Sequence, residues 1–228
     1  MKRNLFCILG LLLLLALVSC KNEEDFSIPI DGDGNVYRTL QIGERTWMVG
    51  PLYTTTFNDG SPIVLDETWS SVGSRPVYCG YDNDLSHGSK YGHLYNWPAV
   101  ASGRLAPKGW HVATADDWTD LARNFGGWDN AGIALKALTG WAFYTDSVTA
   151  TNESGLGLLP TGCRENYTDS AAHHGEFHGM GFEGFWWTST PVGVGDGGML
   201  MSLSYRNNEL WGHGSAPDFG AAVICVKN

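Results

Sequence analysis

The chain has 228 residues, with 14 basic against 24 acidic side chains and a formal charge of −10. An acidic surface repels phosphate backbones, which excludes nucleic acid as a natural partner, and no basic amphipathic stretch suggests a membrane-lying helix. The length suits one domain or at most two, and cysteines without any CxxC pair exclude the common zinc and redox motifs.

The chain opens with Lys2 and Arg3, then an apolar run from Phe6 to Val18. Leu17-Val18-Ser19-Cys20 follows as a lipobox. A charged start, a short apolar stretch and small residues at the cut make an export signal. The run is shorter than the roughly 20 residues that span a bilayer. Residues 1–19 are therefore expected to be removed, leaving Cys20 as the lipid-carrying first residue. Two or more acyl chains then anchor the protein, since one chain binds only marginally. Lys21, rather than Asp, follows the cysteine, and Lys21-Asn22-Glu23-Glu24-Asp25 resembles the surface-export signal of outer-membrane lipoproteins. The expected location is the outer membrane, lipid-anchored and exposed at the cell surface. Removing the leader takes two basic residues and no acidic ones, so the mature charge is −12.

Residues 20–32 read as lipidated terminus and tether, and residues 33–228 as the folded domain. Asp33-Gly34 between short β-prone segments is a hairpin cue. Val36 to Ile42 alternates apolar and polar residues, as a half-buried strand does. Gly43-Glu44-Arg45 is a turn, Thr46 to Val49 a second strand, and Asn58-Asp59-Gly60 another turn. Thr114-Ala115-Asp116-Asp117 forms a capping box with Asp in the third place. Trp118, Leu121, Ala122 and Phe125 then share one helical face, and Gly126-Gly127 ends it. A second helix is expected from Asn130 to Leu138, stopped by Gly140. After Gly140 glycines and polar clusters make a loop-rich stretch through Gly181. Phe185 to Thr190, Met199 to Leu203 and Ala221 to Val226 read as strands, the last fully buried. Strands, two helices, loops and strands again make an α+β domain.

The motifs in this order resemble a known family. Trp47-Met48 leads to Phe57-Asn58-Asp59-Gly60-Ser61-Pro62-Ile63. Then come Tyr91-Gly92-His93-Leu94-Tyr95-Asn96-Trp97-Pro98 and Pro107-Lys108-Gly109-Trp110-His111-Val112. Asp117-Trp118, Leu159-Pro160-Thr161-Gly162 and Trp186-Trp187-Thr188-Ser189-Thr190 complete the series. Together they resemble the Fibrobacter succinogenes major paralogous domain, over about residues 33–228. The resemblance implies a C-type lectin-like fold, with twisted antiparallel strands, two helices and a long irregular loop region. It implies no general catalytic activity. Ala106 stands where the family often has Cys, and Gly162-Cys163-Arg164 where it has Gly-Tyr-Arg. On that resemblance Cys163 becomes a replacement disulfide partner for Cys79 or Cys225. Tyr167 to His174 reads as an insertion.

Candidate chemistry is sparse. In His173-His174-Gly175-Glu176-Phe177-His178, an extended chain places His174, Glu176 and His178 on one face, a donor set that suits zinc, copper or iron. Asp31-Gly32-Asp33-Gly34-Asn35 fails the calcium-loop pattern at its sixth and twelfth positions, Val36 and Ile42, and reads as a β-turn. The lectin sugar motif is absent; Ala216-Pro217-Asp218 lacks its first member. Trp110, Trp118 and Trp187 are expected in the core. Trp128, Trp141, Tyr144, Tyr167 and Trp211 fall in expected loops and are candidates for a ligand-facing patch. No cofactor is expected. The reading is a non-enzymatic binding or adhesion module for a glycan or a protein. The alternatives are an enzyme with a divergent site, which the His173 to His178 run would make metal-dependent, and a structural subunit of a surface assembly.

Overall fold

The computed structural model describes residues 27–69, 74–146, 148–166, 174–193 and 197–228, with the backbone alone at Asn166 and His174. The leader, Cys20, the acidic segment after it, Tyr167 and His173 lie outside the described residues. In chain order the strands are β1 (Arg38–Ile42), β2 (Arg45–Val49), β3 (Val64–Leu65), β4 (Val77–Cys79), β5 (Leu94–Tyr95) and β6 (Trp110–Val112). They continue with β7 (Cys163–Asn166), β8 (His174–His178), β9 (Glu183–Pro191), β10 (Gly198–Ser204), β11 (Leu210–Ser215), β12 (Ala222–Val223) and β13 (Cys225–Lys227). The helices are α1 (Gly88–Tyr91), α2 (Trp97–Ala101), α3 (Ala115–Arg123) and α4 (Ala131–Leu135). The chain is thus mixed α+β, but with four helices among the described residues where two were expected.

Two four-stranded sheets carry the fold, in the orders β1-β2-β13-β6 and β11-β10-β9-β12. The expected single strand from Ala221 to Val226 is split between them. Ala222 and Val223 pair parallel with Trp186 and Trp187, whereas Cys225 to Lys227 pair antiparallel with β6. Between them Ile224 offers its carbonyl to the Ala113 amide at 3.0 Å. The C-terminal segment therefore passes from one sheet into the other and joins them into one wall.

Both faces of that wall are buried over its central strands. Side chains of a strand alternate between faces, so neighbouring residues enter opposite cores. Trp187, Leu200, Val223, Cys225 and Met48 lie in one cluster; Trp186, Met201, Ala222, Val226 and Trp47 lie in the other. The Trp186-Trp187 doublet is the clearest case. Trp187 packs 5.5 Å from Trp97, while Trp186 packs 5.8 Å from Trp118, which in turn meets Trp47 edge-on at 5.5 Å. Strands buried on both sides read as near-continuous apolar runs, which is why the last strand had that appearance in the sequence. Trp110, Trp118 and Trp187 are core residues as expected.

Close packing is enforced by small residues as well as large ones. A Cβ added at Gly198 on β10 would lie 2.2 Å from the ring of Trp97. Gly198→Ala is expected to cost about 2 kcal/mol through overpacking, measured by denaturant titration.

Helix α3 starts as its sequence demanded. Thr114 Oγ1 accepts from the Asp117 amide at 3.0 Å, and Asp117 Oδ2 accepts from the Thr114 amide at 2.8 Å. Its buried face, Trp118, Leu121 and Ala122, enters the second cluster. Helix α4 is shorter than expected. It stops at Leu135 because Lys136 turns extended, with φ −64° and ψ 140°, and bridges to Leu158. The Asp31 turn is also as expected. The Asp31 carboxylate accepts from the amides of Asp33 and Asn35, the Asn35 side chain and the Tyr37 hydroxyl, the last at 2.6 Å. Those donors occupy both oxygens, so the carboxylate does a structural job in the turn.

Cys79, Cys163 and Cys225 are all buried free thiols. The bridge expected between two of them is not formed. Cys79 belongs to a small third cluster with Trp69, Val77 and Leu94, apart from Cys163 and Cys225 in the first. Burial pushes the Cys79 thiol up to about 11, so it is held as an unreactive thiol. No helix among the described residues is long and apolar enough to cross a membrane.

Candidate ligand-binding groove

The hairpin of β10 and β11 leaves one part of the wall uncovered. On β10, Leu200 still enters the first core, but Ser202 and Ser204, on the same face, lie beyond its edge and are half-buried. Their partners on that face come from β9 and β11. Ser202 sits opposite Phe185 on one side and Trp211 on the other. Strand β11 is an edge strand, and its sequence Leu210-Trp211-Gly212-His213-Gly214 alternates large side chains with glycine. The large ones, Trp211 and His213, share the uncovered face. The glycines share the other, where Leu210 and Met201 are packed.

The result is an open groove of about 370 Å³, lined by Ser202, Ser204, Asn207, Glu209, Trp211 and His213. The indole of Trp211 is 60% exposed, which is far from the 0% of Trp47, Trp118 and Trp187. His213 stands edge-on to Phe185 with centroids 6.4 Å apart. The β10–β11 turn is pinned by Asn207, whose side-chain oxygen accepts from the Glu209 amide at 3.2 Å. From beneath, the buried ammonium of Lys136 donates to the Asn207 carbonyl at 2.5 Å and lies 5.3 Å from the Trp141 ring centre.

Burial lowers the Lys136 pKa to about 8. The unfolded chain therefore binds the proton more tightly than the folded one, near pH 10.4. Folded-state stability gains from this lysine as pH rises from about 8 to about 10.4. Lys136→Met should lack that gain, so the stability gap between wild type and variant should shift toward wild type over that window in pH-dependent urea melts.

The sequence candidates among the described residues each have a definite place. Trp211 was expected in a loop; it stands instead on the edge strand β11, on a face left open to solvent. Tyr144 is 52% exposed and meets Tyr205 edge-on at 5.5 Å. Trp128 and Trp141 are partly buried against the second core, on the opposite side of the sheet from Trp211. Trp141 also donates its indole N–H to the Leu158 carbonyl at 2.9 Å. Tyr167 lies outside the described residues. The groove's polar groups, Ser202, Ser204, Asn207, Glu209 and His213, were not singled out from the sequence. The signal that could have found them is the alternation of serines with apolar residues on β10 and of bulky side chains with glycines on β11.

Glu176 and His178 come together, with Oε2 and Nε2 3.7 Å apart, opposite Glu165 and Cys163 on β7. The side chain of His174 lies outside the described residues. Among the described residues no group of three His, Cys, Asp or Glu side chains could hold a metal ion.

The tightest acid–histidine pair among the described residues joins His111 to Asp117. His111 Nε2 is 2.9 Å from Asp117 Oδ2, and Nδ1 is 2.8 Å from the Asn228 side chain. Arg45 adds an ion pair to the other Asp117 oxygen at 3.3 Å. Both ring nitrogens and both carboxylate oxygens are occupied, and the neighbouring hydroxyl, Thr114, donates into the same carboxylate. This is a clasp joining β2, β6, α3 and the C-terminus, with no free base or nucleophile.

The family model described as Fibrobacter succinogenes major domain matches residues 40–227. No curated protein and no solved structure matches the chain.

Proposed function

The chain belongs to the Fibrobacter succinogenes major domain family, and from that premise we propose that it is a lipid-anchored surface module that binds a neutral glycan in the Trp211 groove and catalyses no reaction. The observation that carries this reading is the exposed indole of Trp211 on a rigid strand, bordered by hydroxyl, amide, carboxylate and imidazole groups. A flat aromatic face accepts the C–H face of a sugar ring, and a few placed polar groups fix its hydroxyls. No lysine or arginine lines the groove, and the overall charge is −10. Both disfavour sulfated or uronate chains. Cys20 as a diacylated anchor, and the acidic segment after it, support display at the outer face of the outer membrane.

The relation to C-type lectin-like domains belongs to the same proposal. The mainly antiparallel sheets and the amphipathic α3 support it; the parallel pairing of β12 with β9, the unbridged cysteines and two further helices depart from it. A second reading, a partner protein that adds a strand, draws on the free edge of β11.

The test is a glycan-array screen of the full-length protein followed by titration calorimetry. Trp211→Ala is expected to lose at least about 30-fold in affinity, equivalent to about 2 kcal/mol, with an unchanged melting temperature. A protein that binds its glycan equally well without the indole would end this reading.

A further inference from the structure

A buried cation lies beneath the groove. Lys136 is 1% exposed. Taking an ammonium out of water costs stability, and an apolar side chain of similar volume would avoid that cost. A group that a fold keeps against its own stability commonly serves function.

The surroundings aim this side chain. The Lys136 amide donates to the Gly132 carbonyl at 3.1 Å, and the Ala137 amide to the Leu158 carbonyl at 2.9 Å. The ammonium lies 5.3 Å from the centre of the Trp141 ring, which is itself held to the Leu158 carbonyl through its indole N–H. From there Nζ donates to the Asn207 carbonyl at 2.5 Å.

The β10–β11 turn is tied down at two further points by the same stretch of chain. The Asn208 carbonyl accepts from the Gly132 amide at 2.9 Å, and the Leu210 amide donates to the Trp128 carbonyl at 2.7 Å. Alternate residues of the turn serve the groove. Asn207, Glu209 and Trp211 line it, while Leu210 is buried in the second core. The Lys136 tie has a charged donor and the other two are neutral amide bonds. A charged donor makes a bond roughly twice as strong as a neutral one.

Resting on the glycan reading above, we propose that Lys136 is a positioning residue of the groove. It fixes the Asn207 carbonyl from beneath, and with it the arrangement in which Asn207, Glu209 and Trp211 meet a sugar. A turn that must instead be ordered as the ligand arrives loses affinity to that ordering. The charge therefore serves binding rather than folding.

The grip should depend on pH. Burial lowers the Lys136 pKa to about 8. Asp129, Glu153, Arg206 and Glu209, the charged side chains of the segments around it, make no ion pair with it, and burial alone sets the shift. As pH rises through that value the neutral amine that remains is the poorer donor.

The full-length protein and its Lys136→Met variant are titrated by calorimetry with neutral gluco-, manno- and N-acetylgluco-disaccharides at about pH 7 and about pH 9.5. For a disaccharide that wild type binds, the variant should bind at least about fivefold more weakly at the lower pH. Its melting temperature there should not fall, because a buried charge has been removed. Wild type should lose about threefold in affinity at the higher pH, and the variant should lose none. Hydrogen exchange should quicken in the variant from Tyr205 to Leu210 and stay unchanged in β9. Equal affinity of the two proteins would overturn this inference alone, as would unchanged exchange in the turn or a pH loss shared by the variant. A weaker variant that also melts at a clearly lower temperature would give Lys136 a structural role only and overturn it too. Absence of wild-type binding to every disaccharide would overturn the glycan reading and this inference with it.

Discussion

Arg164→Met is expected to destabilise the fold by about 4 kcal/mol, more than any surface change in the molecule. Arg164 is 3% exposed. Its guanidinium lies between the rings of Trp69 and Phe177, with centroids 5.0 and 4.5 Å away. Nε donates to the Gly175 carbonyl at 2.8 Å and Nη2 to the Glu67 carbonyl at 2.7 Å. Nη1 reaches the Asp66 carbonyl at 3.3 Å and Asn83 Oδ1 at 3.0 Å. Methionine fills similar volume but donates nothing, so four acceptors lose their donor. A buried acceptor left alone costs about 1–3 kcal/mol, reduced where water enters or the chain relaxes. Arg164→Lys keeps the charge but not the planar fork, and should cost about half as much. Arg206→Met, at an exposed site, should change stability by less than about 0.5 kcal/mol. Equilibrium unfolding in urea measures all three, and a loss below about 1 kcal/mol for Arg164→Met would show that the hub is dispensable.

Asp117→Asn should cost about 3 kcal/mol, and the cost should depend on pH in a defined window. The carboxyl is 2% exposed, caps α3 and binds His111. Burial alone would raise its pKa; the bonds from His111 and Thr114 outweigh that and hold it at about 2. Its stabilisation is therefore complete above the unfolded value near 3.9 and is lost as pH falls toward 2. His111 is shifted the other way. Its bond to Asp117 raises its pKa above 6.5 despite partial burial. That contribution is complete below about 6.5 and fades as pH rises through the raised value. The gap between wild type and Asp117→Asn should be widest between about pH 4 and 6.5 and narrow on both sides. A gap that is flat from pH 3 to 9 would contradict the clasp. Asparagine still offers one oxygen to the cap, so what changes is chiefly the charged bond to His111 and Arg45.

Much of the fold was legible because local chemistry decides it. The capping box at Thr114, the turn at Asp31 to Asn35 and the apolar face of α3 all depend on residues within one turn of one another. The core tryptophans were legible from strand periodicity. The length of α4 was not, because Lys136 leaves the helix to bond Asn207, which is distant in sequence. The split of the C-terminal strand was not legible either. Its apolar run fits one strand or two, and only the presence of two sheets separates them.

For the candidate site the division is similar. The sequence by itself determined that this is an acidic, glycine-rich α+β chain of one recognisable family, with more aromatic residues than one core needs. It placed Trp211 among the exposed aromatics without its neighbours. Only the tertiary structure decided which aromatics are buried. Trp128, Trp141 and Trp211 have similar local surroundings, yet the first two lie under the sheet and the third lies over it. The physical reason is that burial is a property of the whole wall. A side chain on an edge strand is exposed or covered by what distant segments place on its face, and no short-range pattern records that.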